Sequence, residues 1–340
     1  MAPYEGPIGL AFLDRPGVAE QLELVKLVDK LGYESAWVTE TRLARDAISI
    51  LGAFATATTR ITLGPAVVNT WTRGPALMAV TAATLHEMAP ARFVLGLGAY
   101  WDPLAWKQGI ERSRPLEQMR EYVGVVRRLL RLEEGVTFEG VHVKVRDLTL
   151  DLGHGVERKP VEVPIYIGAT GLKMMELAGE IADGVLLNGN LSQDYTRTAV
   201  SVAQASAAKV GRASFEGRMP QLVNVAMDAD RDVARRAARR FLAMYLGQQP
   251  HMGKASGLDE EFLQRLKETV GGWPPRPGGI EEAVDLINPE LVNRFTVAGT
   301  ADDCRDAIGG WVEAGASYPV IVPLTDNYAE ICTALAPRGT

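Results

Sequence analysis

The residues best suited to chemistry in this chain stand at the ends of apolar runs. Gly168-Ala169-Thr170-Gly171 separates Val163–Ile167 from a helical pattern at Met174, Met175, Leu177, Ala178 and Ile181. Ala182-Asp183-Gly184 closes that helix before Val185-Leu186-Leu187. Small residues let backbone N–H groups approach a ligand closely, and the helix start behind them carries partial positive charge, so this turn suits a phosphate. Other run ends are Thr39-Glu40-Thr41-Arg42, Ala66-Val67-Val68-Asn69-Thr70-Trp71, Gly98-Ala99-Tyr100-Trp101, Asn188 and Pro323-Leu324-Thr325-Asp326. The set is polar, aromatic and rich in glycine. The four histidines, His86, His142, His154 and His251, have no metal-ligand spacing, and no Ser-His-Asp arrangement is legible. A bound organic cofactor, and no metal, is therefore expected to carry the chemistry. Within that set Glu40 is the candidate proton donor or cofactor-ring partner. Asn69 is either a hydrogen-bonding partner of the ring or an ordinary turn residue. Thr41, Trp71, Tyr100 and Trp101 are candidate pocket walls, Arg73 and Lys173 candidate anion contacts, and Met174 and Met175 core.

The elements that must position these residues alternate. Strands are expected at Ile8–Leu13, Ser35–Thr39, Ile61–Val68, Arg92–Gly98, Val163–Ile167, Val185–Leu187, Leu222–Met227 and Pro319–Val322. Helices are expected between them, at Val18–Leu31, Ala47–Thr58, Ala76–Met88, Leu116–Leu132, Gln193–Val210 and Asp230–Leu246. Nearly continuous apolar strands alternating with helices imply a parallel sheet covered on both faces, and eight strands close a (β/α)₈ barrel. An open doubly wound sheet is the alternative. Two segments break the repeat. Thr137–Leu150 alternates around Glu139-Gly140 and reads as a β-hairpin. Residues 248–291, rich in Gly and Pro, read as an insertion before the last strand, with a short helix at Glu260–Thr269.

With 340 residues, 47% of them hydrophobic, the chain can bury a large core, read here as one domain over residues 1–340. A net charge of -6 with both signs dispersed argues against nucleic acid, and the most basic stretch, Arg231–Arg240, fits a solvated helix face. Cys304 and Cys332 form no disulfide framework, and no apolar run could span a bilayer. The expectation is a cytoplasmic protein with a small-molecule substrate and no membrane partner, assembling with its own copies as a dimer or higher homo-oligomer.

Leu63-Gly64-Pro65-Ala66-Val67-Val68-Asn69, Gly96-Leu97-Gly98 and the stretch Tyr166–Asn188 resemble the luciferase-like hydride transferases and monooxygenases, especially the deazaflavin-dependent methylenetetrahydromethanopterin reductases. The resemblance runs from Ile8 to the last strand. It implies a (β/α)₈ barrel with a large insertion before the last strand and a flavin or deazaflavin in its mouth. It places the cofactor phosphate near Gly168, Ala169, Thr170 and Gly171; Thr39, Asn69, Gly98, Ala99 and Asn188, at the other strand ends, are the further cofactor contacts expected in such a barrel. It also implies a non-prolyl cis peptide at Ala66-Val67, behind the ring. Two positions depart from the reductases: Ala11 stands where they carry a glutamate, and Glu40-Thr41 where they carry an acid–histidine pair. These departures leave the substrate open. The implied activity is hydride transfer by coenzyme F420 with Glu40 as acid; the alternatives are an FMN-dependent monooxygenase and a non-catalytic flavin-binding barrel. The acidic tail of a deazaflavin would need cations, for which Arg42, Arg73 and Lys173 are available.

Overall fold

The computed structural model describes residues 3–212, 215 and 218–338. Its strands are β1 (Gly9–Phe12), β2 (Ser35–Val38), β3 (Thr62–Pro65), β4 (Val68–Asn69), β5 (Leu95–Gly98), β6 (Val136–Glu139), β7 (Lys144–Leu148), β8 (Ile165–Ala169), β9 (Gly184–Leu187), β10 (Gln221–Met227), β11 (Thr296–Gly299) and β12 (Pro319–Pro323). The main sheet is parallel and runs β3-β2-β1-β12-β10-β9-β8-β5-β4. A parallel bridge from Leu63 to Phe93, with the β4–β5 pairing, closes the ring. β3 and β4 share one strand position, interrupted at a cis Ala66-Val67 peptide, so the barrel has eight positions. β6 and β7 form the hairpin.

Every residue of β1, β2, β5 and β9 is buried, because helices cover one face of each strand and the barrel interior covers the other. Inside the barrel Trp37 lies against Tyr166, and both Trp37 Nε1 and the Tyr318 hydroxyl donate to Ser35 Oγ, at 2.8 and 3.1 Å. These bulky groups make the interior a packed core with Ala11, Val320 and Val322, so a ligand must sit at the strand ends. Asp183 staples the central βαβ unit: one carboxylate oxygen accepts from the Ile165 N–H and from Arg127, each at 2.8 Å.

The sequence reading missed β11. β10 outruns β9, pairing with it only at Gln221–Leu187, and β11 takes the remaining edge from Asn224 to Met227. The insertion holds four short helices, Pro250–Ala255, Glu260–Val270, Gly279–Val284 and Pro289–Phe295, where one was expected. The last three pack with the helix Arg231–Gln248 around Leu242, Leu246, Leu266 and Phe295, while Met252 of the first joins the main core.

The interrupted strand fixes two glycines. A Cβ on Gly98 would lie 2.3 Å from Val67 Cγ2, and one on Gly168 would lie 2.8 Å from Val67 Cγ1. The Val67 side chain thus occupies the space that β5 and β8 leave empty. Gly98→Ala should therefore cost about 1–3 kcal/mol through overpacking. Adding Val67→Ala should restore much of that loss in urea unfolding. Additive losses in the double variant would contradict the packing.

Candidate active site at the barrel mouth

A cavity of about 550 Å³ opens over the carboxyl ends of the strands, within the usual range for small-molecule sites. It is lined by Thr39, Glu40, Thr41, Ala66, Val67, Asn69, Gly98, Ala99, Tyr100, Trp101, Gly168, Ala169, Thr170, Gly171 and Asn188. All were site candidates by sequence, brought together from β2, β4, β5, β8 and β9. A second chamber of about 450 Å³ shares Glu40, Arg42, Asn69, Tyr100 and Leu104 with the first.

Trp71 is the exception. Asn69 Oδ1 accepts from the N–H groups of Trp71 and Thr72, both at 2.9 Å, and from the Thr72 hydroxyl at 3.1 Å. This turn accompanies a path that carries the Trp71 ring to an edge-on contact with His142 of the hairpin segment, ring centroids 5.5 Å apart. Trp71 is thus no pocket wall. Asn69 is a turn residue whose oxygen is fully engaged, leaving its NH₂ as the group it can offer the cavity.

Glu40 is held tightly. Its oxygens accept from Arg73 Nη1 and Nη2 at 2.6 and 2.8 Å, and Oε2 also accepts from the Ala47 N–H at 3.3 Å. Both oxygens of the side chain expected as acid are therefore engaged, and Glu40 stands in the structure as the partner of Arg73. Arg73 also pairs with Asp46, and its carbonyl accepts from the Tyr122 hydroxyl at 2.8 Å, so it is not the free anion contact expected from sequence. Burial acts to raise the pKa of Asp46, but bonds from Ser49 and the Arg73 charge outweigh it and lower that pKa.

At the phosphate turn the helix Leu172–Ile181 begins without a side-chain cap, leaving its first N–H groups open, and Lys173 lines the same wall. Gly171 adopts φ -80°, ψ 142°, and a Cβ there would meet nothing within 4 Å. The turn is braced from behind. The Tyr195 hydroxyl donates to the Thr170 carbonyl, Asn188 Nδ2 donates to Thr170 Oγ1 at 3.4 Å, and Gln221 Nε2 donates to the Asn188 carbonyl at 3.0 Å. Across the mouth Thr39 Oγ1 is buried with no hydrogen-bond partner among the described residues.

Sequence reasoning missed the wall supplied by the insertion and the helix before it. Tyr245, Gln249, His251 and Met252 all line the cavity, and Trp273 packs edge-on against Trp101 at 5.6 Å. Desolvation lowers the His251 pKa and raises that of Tyr100, keeping the imidazole neutral and the phenol protonated near neutral pH. Tyr100 accepts from Gln108, so its own O–H remains free at the junction of the two chambers.

Barrel, interrupted third strand and glycine-lined mouth define a (β/α)₈ protein whose candidate site lies at the strand ends. Residues 5–318 match the family model described as luciferase-like monooxygenase, and the chain belongs to that family. It is 32% identical over 320 residues to the 5,10-methylenetetrahydromethanopterin reductase of Archaeoglobus fulgidus, covering 92% of each chain. It is 28% identical over 323 residues to a putative coenzyme F420-dependent oxidoreductase of Mycobacterium tuberculosis, covering 88% of this chain and 89% of that one. In fold it matches the coenzyme F420-dependent tetrahydromethanopterin reductase from Methanopyrus kandleri, with TM-score 0.79, 24% identity and 98% of each chain covered.

The Glu40–Arg73–Asp46 cluster yields a signed prediction. Because the Asp46 pKa is lowered in the fold, its stabilising contribution is complete above the unfolded carboxylate pKa of about 4 and fades as pH falls through the folded value. Arg73→Gln should cost about 1–3 kcal/mol at pH 7, with Glu40 and Arg73 side chains only 16% and 20% exposed. The gap from wild type should narrow below about pH 4 in denaturant titrations. An equal gap at both pH values would remove the cluster from the stability account.

Proposed function

We propose that the protein is an oxidoreductase that moves a hydride between a deazaflavin, coenzyme F420, and a small organic substrate. The observation that carries this reading is the phosphate turn. Gly171 leaves open space where a side chain would project, an uncapped helix start lies behind it, and Lys173 stands beside it. Curated relatives named as F420-dependent or as methylenetetrahydromethanopterin reductases support the same choice of cofactor.

The residues present fit such a group. Gly168–Gly171 would hold its phosphate, and Val67 would form the platform behind its ring, kept in place by Gly98 and Gly168. The unpartnered Thr39 hydroxyl and the Asn69 amide offer polar contacts to the edges of a ring. When bound, the deazaflavin supplies two-electron hydride chemistry with little reactivity toward oxygen. The protein's part is orientation, exclusion of water and one positioned proton. Trp101 and Trp273 shield one side. The Tyr100 O–H, kept protonated by its partly desolvated surroundings, is the group that donates to the substrate oxygen or nitrogen. Glu40 acts one step back: it fixes Arg73 and the start of the following helix through Ala47.

The test is a side-by-side titration of F420 and FMN followed by ring fluorescence. Micromolar F420 binding with FMN at least tenfold weaker is expected. Micromolar FMN binding without F420 binding would replace this reading with the flavin monooxygenase.

A further inference from the structure

We propose that Arg42 recognises an anionic group of the substrate, a carboxylate or a phosphate. The inference rests on the oxidoreductase reading above and names the substrate class for the same mouth. Arg42 lines both chambers, and its Nη2 is buried without a hydrogen-bond partner among the described residues. Its guanidinium lies 4.8 Å from the centre of the Tyr245 ring, which holds its plane.

The neighbouring cations are engaged. Arg73 is bound by Glu40 and Asp46, Arg112 by Asp102 and the Ala99 carbonyl, and Arg45 donates to the Asp14 carbonyl. A desolvated N–H of a cation without an acceptor is costly, and an anionic oxygen is the acceptor that best offsets that cost.

Position separates this group from the cofactor turn. β2, which leads into Arg42, lies three strand positions from β8 around the ring, counting β3 and β4 as one. A cofactor phosphate has its own counter-charge at Lys173, on the β8 side. An anion at Arg42 would instead sit where the two chambers meet, beside Tyr100 and Asn69. The acidic tail of the cofactor could supply the same chemistry, so the experiment separates the two sources.

The cofactor-free protein is titrated calorimetrically at matched ionic strength with inorganic phosphate, succinate and the neutral succinamide. Wild type, Arg42→Lys and Arg42→Met are compared, and each titration is repeated with F420 bound. Wild type should bind at least one of the two anions about tenfold or more tightly than succinamide. Arg42→Met should lose that preference and Arg42→Lys keep part of it. F420 affinity should stay within about twofold in Arg42→Met, and saturating F420 should not displace the anion. Absence of anion binding in wild type, or equal binding in wild type and Arg42→Met, would overturn the proposal. So would displacement of the anion by F420 together with F420 binding about tenfold weaker in Arg42→Met, which would assign Arg42 to the cofactor tail. Failure of F420 to bind wild type would defeat the oxidoreductase reading, while the cofactor-free titrations still decide Arg42.

Discussion

The Val67 side chain presses into the wall of the barrel where Gly98 and Gly168 leave no Cβ, and the arrangement of the mouth depends on that contact. Three strand positions meet there: Asn69 pairs with Gly98, and Gly98 with Gly168. Any larger residue at Gly98 or Gly168 would push Val67 away or open the sheet, because interiors packed to this density have no slack. The same contact orders the ligand site. It leaves a smooth apolar platform beneath the cavity and sets the levels from which the Asn69 and Gly168–Gly171 turns depart.

Around that platform the polar groups divide by side. The β8 side offers backbone donors, a helix start and Lys173, all suited to a phosphate. The β2 side carries a self-contained ion cluster, Glu40–Arg73–Asp46, with Arg42 left over. Two carboxylates are thus fixed against one guanidinium, and the Tyr100 hydroxyl stands where the two chambers meet.

The fold was largely legible because parallel barrel strands are buried on both faces and read as unbroken apolar runs, and because 3.6-residue periodicity marks the covering helices. β11 escaped because its four residues, Thr-Val-Ala-Gly, follow helix-forming sequence directly, and only the unpaired edge of β10 makes them a strand. The strand-end residues of the site were legible from barrel geometry alone. Trp71 was misplaced because a turn closed by the Asn69 side chain decides where its ring goes, and sequence spacing does not encode that direction. Glu40 was legible as a residue of the mouth, but its engagement by Arg73 was not, since that partner lies in a different loop. Tyr245, His251 and Met252 reach the cavity only through folding of the helix Arg231–Gln248 and the insertion after it, so no local pattern announces them.

The central claim is that the turn at Gly168–Gly171 anchors a phosphorylated cofactor over the Val67 platform. Gly171→Val tests it most directly, because the backbone at Gly171 suits any residue and a Cβ there meets no atom within 4 Å. Thermal unfolding of the variant should match wild type, while F420 binding read by ring fluorescence weakens at least tenfold. Wild-type F420 affinity in a folded Gly171→Val protein would contradict the account and place the phosphate elsewhere.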